Sequence, residues 1–218
     1  MSRSPSIAAL GEPRLNDSPA CANCAASALR RTHRVPATPN DVLYFWRQAG
    51  PEKWFRKNTA FDESIRLKFE PVHHRAARGE YDAWTVTADG ALALLILLDQ
   101  FPRNLYRNSA HAFATDPKAR AVARAAVESG HDKAVEPALR NFFYLPFQHS
   151  EDIADQDLSL ALCTIAGDEA SKGDGLKWAI LHRDIIVRFG RFPHRNPALG
   201  RQTTAQEQAF LDDGGFAG

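Results

Sequence analysis

A run of eight consecutive apolar residues, Ala91 to Leu98, constrains the fold of this 218-residue chain most strongly. It lies within a segment from Ala88 to Phe101 that has almost no polar face at helical spacing. A helix that is apolar on every side must be covered by other elements of the fold. The run is far shorter than the roughly 20 residues that span a membrane. It therefore predicts a buried helix at the centre of the fold.

Signals for the starts and ends of helices continue from Thr38 onward. Thr38 or Asn40 can cap a helix that has Pro39 near its start and ends at Gly50. No segment alternates apolar and polar residues for long enough to predict a strand. The sequence therefore predicts an all-α fold of about eight helices in antiparallel pairs. The other predicted helices are Asn58 to Arg78, Ala88 to Phe101, Asp116 to Gly130, Glu136 to about Tyr144, one opened by Ser150 to Asp152, Leu176 to Phe189, and one from Thr204 to near Gly214.

Two prolines are expected to interrupt this pattern. Pro71 lies inside a predicted helix and should kink or break it, because proline lacks an N–H group and clashes with the previous turn. Pro102 should end the central helix, because the residue before a proline avoids the helical conformation.

Composition limits the class of protein. The formal net charge is +1, which provides no strong field to attract nucleic acid or an anionic membrane. The three cysteines are an odd number, which argues against a disulfide framework and favours a reducing compartment, the cytoplasm. The sequence does not indicate an oligomeric state.

The first 36 residues differ from the rest of the chain. They are rich in Ser, Ala, Pro and Arg without apolar periodicity, which is typical of a disordered arm. The pair Cys21 and Cys24 within this arm is weak evidence for zinc, and an Arg-rich, acid-poor start is also compatible with a transit peptide. The predicted organisation is an arm at residues 1–36 and one helical domain at residues 37–218.

Three segments combine charged and apolar side chains: Leu98 to Asn104, Phe143 to Asp152 and His182 to Asn196. Burying a charge is costly unless it finds a partner, so the three segments are expected to meet around a polar cleft. The candidate ligand-binding residues are Asp99, Arg103, Gln148, His149, Glu151, His182, Arg191, His194 and Arg195.

Each candidate also has a structural interpretation. Arg103 can pair with Asp99 at a helix end, and His182 shares an apolar stripe, where a histidine is most often a hydrogen-bonded core residue. Ser150 can cap the helix that follows, leaving His149 beside a helix start that could receive an anion. Gln100 to Asn104 also resembles Arg191 to Asn196, so both could be the same helix-ending turn.

These segments resemble the bacterial family known as domain of unknown function 924. The resemblance covers roughly Pro39 to Leu211 and implies a tetratricopeptide-like array of helix pairs with a concave face, although no clean repeat period is found in the sequence. The family has no established activity, so the resemblance implies no catalytic residue. The matching segments are Asp41 to Trp46, Trp54-Phe55, Leu98 to Asn104, Phe147 to Glu151, and His182 with Arg191 to Asn196.

Two functions remain open from the sequence. The first is a binding or scaffold protein that holds a peptide or a small anionic ligand in the polar cleft, a reading that rests on fold-level resemblance. The second is an enzyme that uses the His, Asp, Glu and Arg cluster for acid–base chemistry. No nucleotide-binding loop, nucleophile elbow or local metal signature occurs, so neither a cofactor nor a metal is predicted.

Overall fold

The computed structural model describes residues 37–170 and 174–218, without the side chains of residues 167–170 and 174. The predicted arm, with Cys21 and Cys24, lies outside the described residues. All regular secondary structure in the described part is helical, which confirms the predicted all-α class. The main helices are α1 (Pro39–Ala49), α2 (Thr59–Ala77), α3 (Ala88–Leu95), α4 (Phe101–Leu105), α5 (Asp116–Glu128), α6 (Ile153–Ala170), α7 (Asp174–Phe189) and α8 (Ala205–Asp212).

Short helical turns connect these helices. The turns that matter for the site are Leu145–Gln148, which packs against α5 and α6, and Pro193–Arg195, which follows α7. Helices α6 and α7 pack along each other. The remaining turns are Pro51–Trp54, Asp82–Val86, Ala110–Phe113, His131–Ala134, Pro137–Arg140 and Asn141–Phe143.

The central helix is buried as predicted. Every residue from Ala91 to Leu98 is at most 1% exposed, and α3 packs against α1 and α5. Its continuation, Ile96–Gln100, is a single π-helical turn in which the Phe101 N–H donates to the Ile96 carbonyl. Single π turns of this kind are often found at functional sites. This turn contains Asp99, the most buried carboxylate among the predicted site residues.

The prediction that Pro102 ends the central helix was wrong. The chain continues through the π turn into α4, where Pro102 lies in the first turn and its missing N–H is tolerated. Two backbone carbonyls one turn earlier accept hydrogen bonds from side chains. His73 Nδ1 donates to the Leu97 carbonyl at 2.8 Å, and Thr115 Oγ1 donates to the Leu98 carbonyl at 2.5 Å.

Pro71 likewise does not break α2, which runs through it without interruption. Pro71 is exposed, so its ring displaces no packed neighbour. The sequence pattern identified the proline but not the face of the helix on which it lies.

An aromatic cluster fixes α1 against the residues that follow the π turn. The Trp46 ring lies 5.7 Å from the Phe101 ring and 5.4 Å from the Phe142 ring, both in edge-to-face arrangements. All three side chains are buried, and such pairs add to the free energy gained by burial. The cluster therefore anchors the chain at Phe101, which lies between Asp99 and Arg103.

Gly90, in the first turn of α3, tests how tightly the central helix is packed. The Thr87 side chain accepts a hydrogen bond from the Gly90 N–H, and a Cβ added at Gly90 would lie 2.1 Å from the Trp84 carbonyl oxygen. Helix propensity alone favours Ala over Gly by about 1 kcal/mol. We expect Gly90→Ala instead to lower the free energy of unfolding by about 1–3 kcal/mol, because the backbone must shift to admit the methyl group.

Urea denaturation of Gly90→Ala and Gly175→Ala provides the comparison. Gly175 also lies in the first turn of a helix, but a Cβ there would meet only the Asn141 side chain, at 3.3 Å. Gly175→Ala should be close to neutral. Equal stability of the two variants would show that the contact with Trp84 does not restrict α3.

Candidate functional site

Two arginines and two aspartates from separate elements form a buried arginine–carboxylate cluster: Asp99, Arg103, Asp116 and Arg195. The guanidinium of Arg103 reaches both aspartates. Its Nη1 lies 3.2 Å from Asp99 Oδ1, and its two Nη atoms donate to the two Asp116 carboxylate oxygens at 3.1 Å each. A bidentate pair of this kind is both strong and geometrically specific.

The carboxylate of Asp99 is held from three sides. Gln100 Nε2 donates to one oxygen at 2.6 Å, while His149 Nδ1 donates to the other at 2.9 Å. Burial alone would raise the pKa of Asp99, but the charge of Arg103 and the contacts with His149 outweigh it and hold that pKa well below its usual range. Asp99 is therefore ionised at neutral pH.

The ring of His149 is oriented by Asp99. Burial, followed by the positive charge of Arg103, lowers the pKa of His149 from its usual value of 6.5 to about 4, so the ring is neutral at pH 7. Because Nδ1 carries the proton that is donated to Asp99, Nε2 carries the lone pair. The side chain remains 14% exposed.

Two further histidines complete a histidine group, which we define as His149, His182 and His194. His182 is buried on α7, donates from Nδ1 to the Trp178 carbonyl at 2.7 Å, and lies 6.3 Å from the His149 ring. Burial lowers the pKa of His182, and burial followed by the charge of Arg195 lowers that of His194 to about 3. All three rings are therefore neutral near pH 7.

Arg195 joins the histidine group to the arginine–carboxylate cluster. Its guanidinium lies between the rings of Phe113, at 4.6 Å, and Phe192, at 4.5 Å, while Nη1 donates to the His149 carbonyl at 3.0 Å. A looser ion pair joins it to Asp116 at 3.7 Å. Burial lowers the pKa of Arg195 to about 10, so it is still charged at pH 7.

Two buried nitrogens at this site have no hydrogen-bond partner among the described residues. They are the Nε of Arg195 and the Nδ1 of His194. Most buried polar atoms in folded proteins are hydrogen-bonded, so two such atoms on adjacent residues need an explanation.

The three remaining candidates lie outside the two groups. Gln148 is fully buried and donates to Cys163 Sγ at 3.4 Å. Glu151 accepts from Arg201 at 2.7 Å and from the Phe192 N–H at 2.8 Å. Arg191 pairs with Glu207 at 2.6 Å. The three segments meet as the sequence predicted. Gln148, Glu151 and Arg191, however, bond to residues outside the two groups.

A family described as bacterial protein of unknown function, DUF924, matches residues 42–215. The chain belongs to this family. The structure of a protein of unknown function, ATU0120, from Agrobacterium tumefaciens is 49% identical to it, with a TM-score of 0.75, over 80% of this chain and 97% of that one. No curated protein matches the chain significantly. The tetratricopeptide-like arrangement remains an expectation from the resemblance.

The predicted helix start at Ser150 needs correction in this DUF924 chain. Helix α6 begins at Ile153, and the Asp152 side chain accepts from the Ala154 N–H at 2.9 Å. The Ser150 hydroxyl instead donates to Asp155 at 2.7 Å. The capping residue therefore lies two positions later than expected. Its carboxylate occupies the helix start at which the sequence suggested an anion could bind.

Asp116 is the member of the cluster that sequence reasoning missed. The sequence Asp116-Pro117 predicts a helix start in which the aspartate is the capping residue and Pro117 takes the first helical position. The capping position is Thr115, and the Asp116 side chain is buried against Arg103. A signal was available, because Arg103 and Arg195 both lie among apolar residues and need a buried acid as partner.

Contact with Asp116 also explains the similarity between the two segments that each contain a Phe-Pro pair followed by an arginine and an asparagine. Gln100 to Asn104 passes from the π turn into α4 and Arg191 to Asn196 contains a 3₁₀ turn, so they are not one helix-ending turn used twice. In both segments, however, the arginine that precedes the asparagine reaches Asp116. The repeated motif therefore delivers two guanidinium groups to one carboxylate.

A small separate pocket lies between Asp132, Arg140 and Tyr144, where the Tyr144 hydroxyl donates to Asp132 Oδ2 at 2.7 Å. It includes none of the predicted site residues. Within residues 37–170 and 174–218, no three His, Cys, Asp or Glu side chains are arranged to hold a metal ion. None of the helices in that part of the chain is long and apolar enough to cross a membrane.

Proposed function

We propose that this DUF924 protein is a binding protein that holds a peptide segment against the histidine group and Arg195. The observation that carries the proposal is the pair of buried nitrogens without partners, Arg195 Nε and His194 Nδ1. An unsatisfied buried polar group costs free energy that a ligand able to hydrogen-bond with it would recover.

The hydrogen-bonding character of the site suits a peptide backbone. The neutral rings of His149 and His182 use Nδ1 as donor, which leaves their Nε2 atoms as acceptors. The Nε of Arg195 is a donor. A peptide carries N–H donors and C=O acceptors at every residue, so it can match both kinds of group.

A small anion is supported less well than a neutral peptide. Near pH 7 the histidines are uncharged, and the guanidiniums of Arg103 and Arg195 face the carboxylates of Asp99 and Asp116. These four charges sum to zero, so little positive potential remains to attract phosphate or sulfate.

Acid–base catalysis is a second candidate, favoured by the hydrogen bond between Asp99 and His149. This pair fixes the ring and leaves Nε2 as a potential base. A general base works best when its pKa is near the working pH, and the pKa of His149 is lowered to about 4. We therefore rank catalysis below binding.

The cytoplasm remains the proposed compartment, because Cys163 is a free, buried thiol.

The binding proposal is tested by selecting random heptapeptides against the full chain and measuring affinities by calorimetry. The selected peptides should bind His182→Phe at least tenfold more weakly, because phenylalanine keeps the ring but removes the Nε2 acceptor. Arg183→Ala is the matched control, since Arg183 lies next along α7 and pairs with Asp157 at the surface. Failure to select any binder, or equal affinity for both variants, would refute the proposal.

A further inference from the structure

The segment from Asp213 to Gly218 turns back from α8 toward the histidine group. Gly214, two residues beyond the end of α8, has a φ of +79°, a conformation that favours glycine. The Gly215 N–H donates to the Phe210 carbonyl at 2.9 Å, and the Gly214 N–H donates to the Leu211 carbonyl at 3.2 Å. This hydrogen-bond pattern is the Schellman motif, which ends a helix and redirects the chain.

Phe216 is the part of this segment that contacts the site. Its ring centroid lies 4.7 Å from the His182 ring, 5.1 Å from the His194 ring and 6.1 Å from the Trp178 ring. Both histidine contacts are edge-to-face. Gly218 also lies against His194, since a Cβ there would be 3.0 Å from His194 Cδ2. The segment therefore covers two members of the histidine group.

Little holds the segment in place beyond the Phe216 ring. Among the described hydrogen bonds, none involves the backbone N–H groups of residues 216–218, and Ala217 and Gly218 are exposed. Phe216 is only half-buried. A segment with few buried contacts and no backbone hydrogen bonds belongs to the least stable part of a fold, so it can leave while the helices stay folded.

We infer that residues 214–218 are an internal occupant of the peptide site, and that the ligand is a peptide with an aromatic side chain between small residues. The inference rests on the proposed function, because it names the ligand class of the same site. The ring of Phe216 shows which side chain fits between His182 and His194, and its neighbours Gly215 and Ala217 show how little room the flanking residues need. A ligand binds only when the segment has left, so its apparent affinity is reduced by the fraction of molecules that are open.

The alternative is that Phe216 only packs. It contacts a small apolar cluster formed by Ile185, Ile186 and Phe192, and a ring there could serve stability alone. The two hypotheses differ in what happens to His182 and His194 when the Phe216 ring is removed. If the segment is an internal occupant, both histidines become accessible in a folded protein and accept a peptide in its place.

The test measures the rate at which diethylpyrocarbonate modifies His182 and His194 in the full chain, with the modified peptides resolved by mass spectrometry. The neutral Nε2 of His182 is the atom expected to react. We expect Phe216→Ala to raise the rate at both histidines at least tenfold. Added Gly-Gly-Phe-Ala-Gly should reverse the increase, while Gly-Gly-Ala-Ala-Gly should not. Phe55→Ala is the control, because Phe55 is an exposed ring that packs on Phe142 and contacts neither the segment nor the histidine group.

Removal of residues 216–218 gives a second variant that keeps the Schellman motif, and circular dichroism establishes that each variant is folded. Unchanged rates in folded Phe216→Ala and in the truncated chain would overturn the inference, as would increased rates that the phenylalanine peptide does not reduce. Failure of the proposed function would look different, because no selected heptapeptide would bind even where the histidines had become reactive. If selected peptides bind the wild type and Phe216→Ala equally, the site stands and the internal occupant is refuted.

Discussion

Replacement of Arg103 by alanine should lower the free energy of unfolding by about 3–5 kcal/mol, because breaking a buried ion pair strands the other charge. Arg103 faces two carboxylates, Asp99 at 1% and Asp116 at 7% side-chain exposure. Arg195 lies 3.7 Å from Asp116 and is too distant to replace the bidentate contact. Urea denaturation monitored by circular dichroism measures the change.

The matched control for this prediction is Arg183→Ala. Arg183 pairs with Asp157, but both side chains are at least one-third exposed, and such pairs contribute about 0–1 kcal/mol. A double variant, Arg103→Ala with Asp116→Asn, should regain part of the loss because one stranded charge is removed. If Arg103→Ala costs no more than Arg183→Ala, the cluster does not hold the fold together.

Stability should fall steeply as the pH decreases from 6.5 toward 4. The pKa values of His149 and His194 are lowered in the folded protein to about 4 and about 3. In the unfolded chain both rings take up a proton near pH 6.5. Below that pH the unfolded state binds more protons than the folded state, so their contribution is complete above pH 6.5 and is lost on acidification. The lowered pKa of Asp99 acts in the same direction at still lower pH.

The expected slope near pH 5 is roughly 3 kcal/mol per pH unit, since each of the two histidines contributes about 1.4 kcal/mol per unit. Urea denaturation at intervals between pH 7 and pH 4.5 measures it. His194→Asn should reduce this slope by about 1.4 kcal/mol per pH unit, because asparagine does not bind a proton in this pH range. A pH-independent free energy of unfolding over this range would mean that His149 and His194 bind protons in the folded protein as they do in the unfolded chain.

The sequence predicted the parts of this fold that depend on local pattern. The central helix followed from the apolar run Ala91 to Leu98, because a helix without a polar face must be buried whatever surrounds it. The meeting of Asp99, Arg103, His149 and Arg195 followed from the cost of burying charges without partners. Both arguments hold without knowledge of which helices are neighbours.

The remaining features depend on contacts between segments that are distant in the chain. Pro102 was expected to end a helix, but the helical chain continues and the carbonyls one turn earlier accept from His73 and Thr115, which no local pattern reveals. The same holds for Asp116, whose capping interpretation was reasonable until Arg103 supplied a stronger partner. The contact of Phe216 with His182 was not predicted at all, since it depends on the turn after α8.

The most direct test of the peptide-binding account is the ¹⁵N NMR spectrum of the histidine rings in folded Phe216→Ala at pH 7, recorded during titration with Gly-Gly-Phe-Ala-Gly. The account predicts that the Nε2 resonances of His182 and His194 move as the peptide is added, while those of His131, which contacts the Thr85 carbonyl, stay fixed. It also predicts that the rings remain neutral throughout. Ring resonances that do not move up to the solubility limit of the peptide, or that move equally for all histidines, would contradict it.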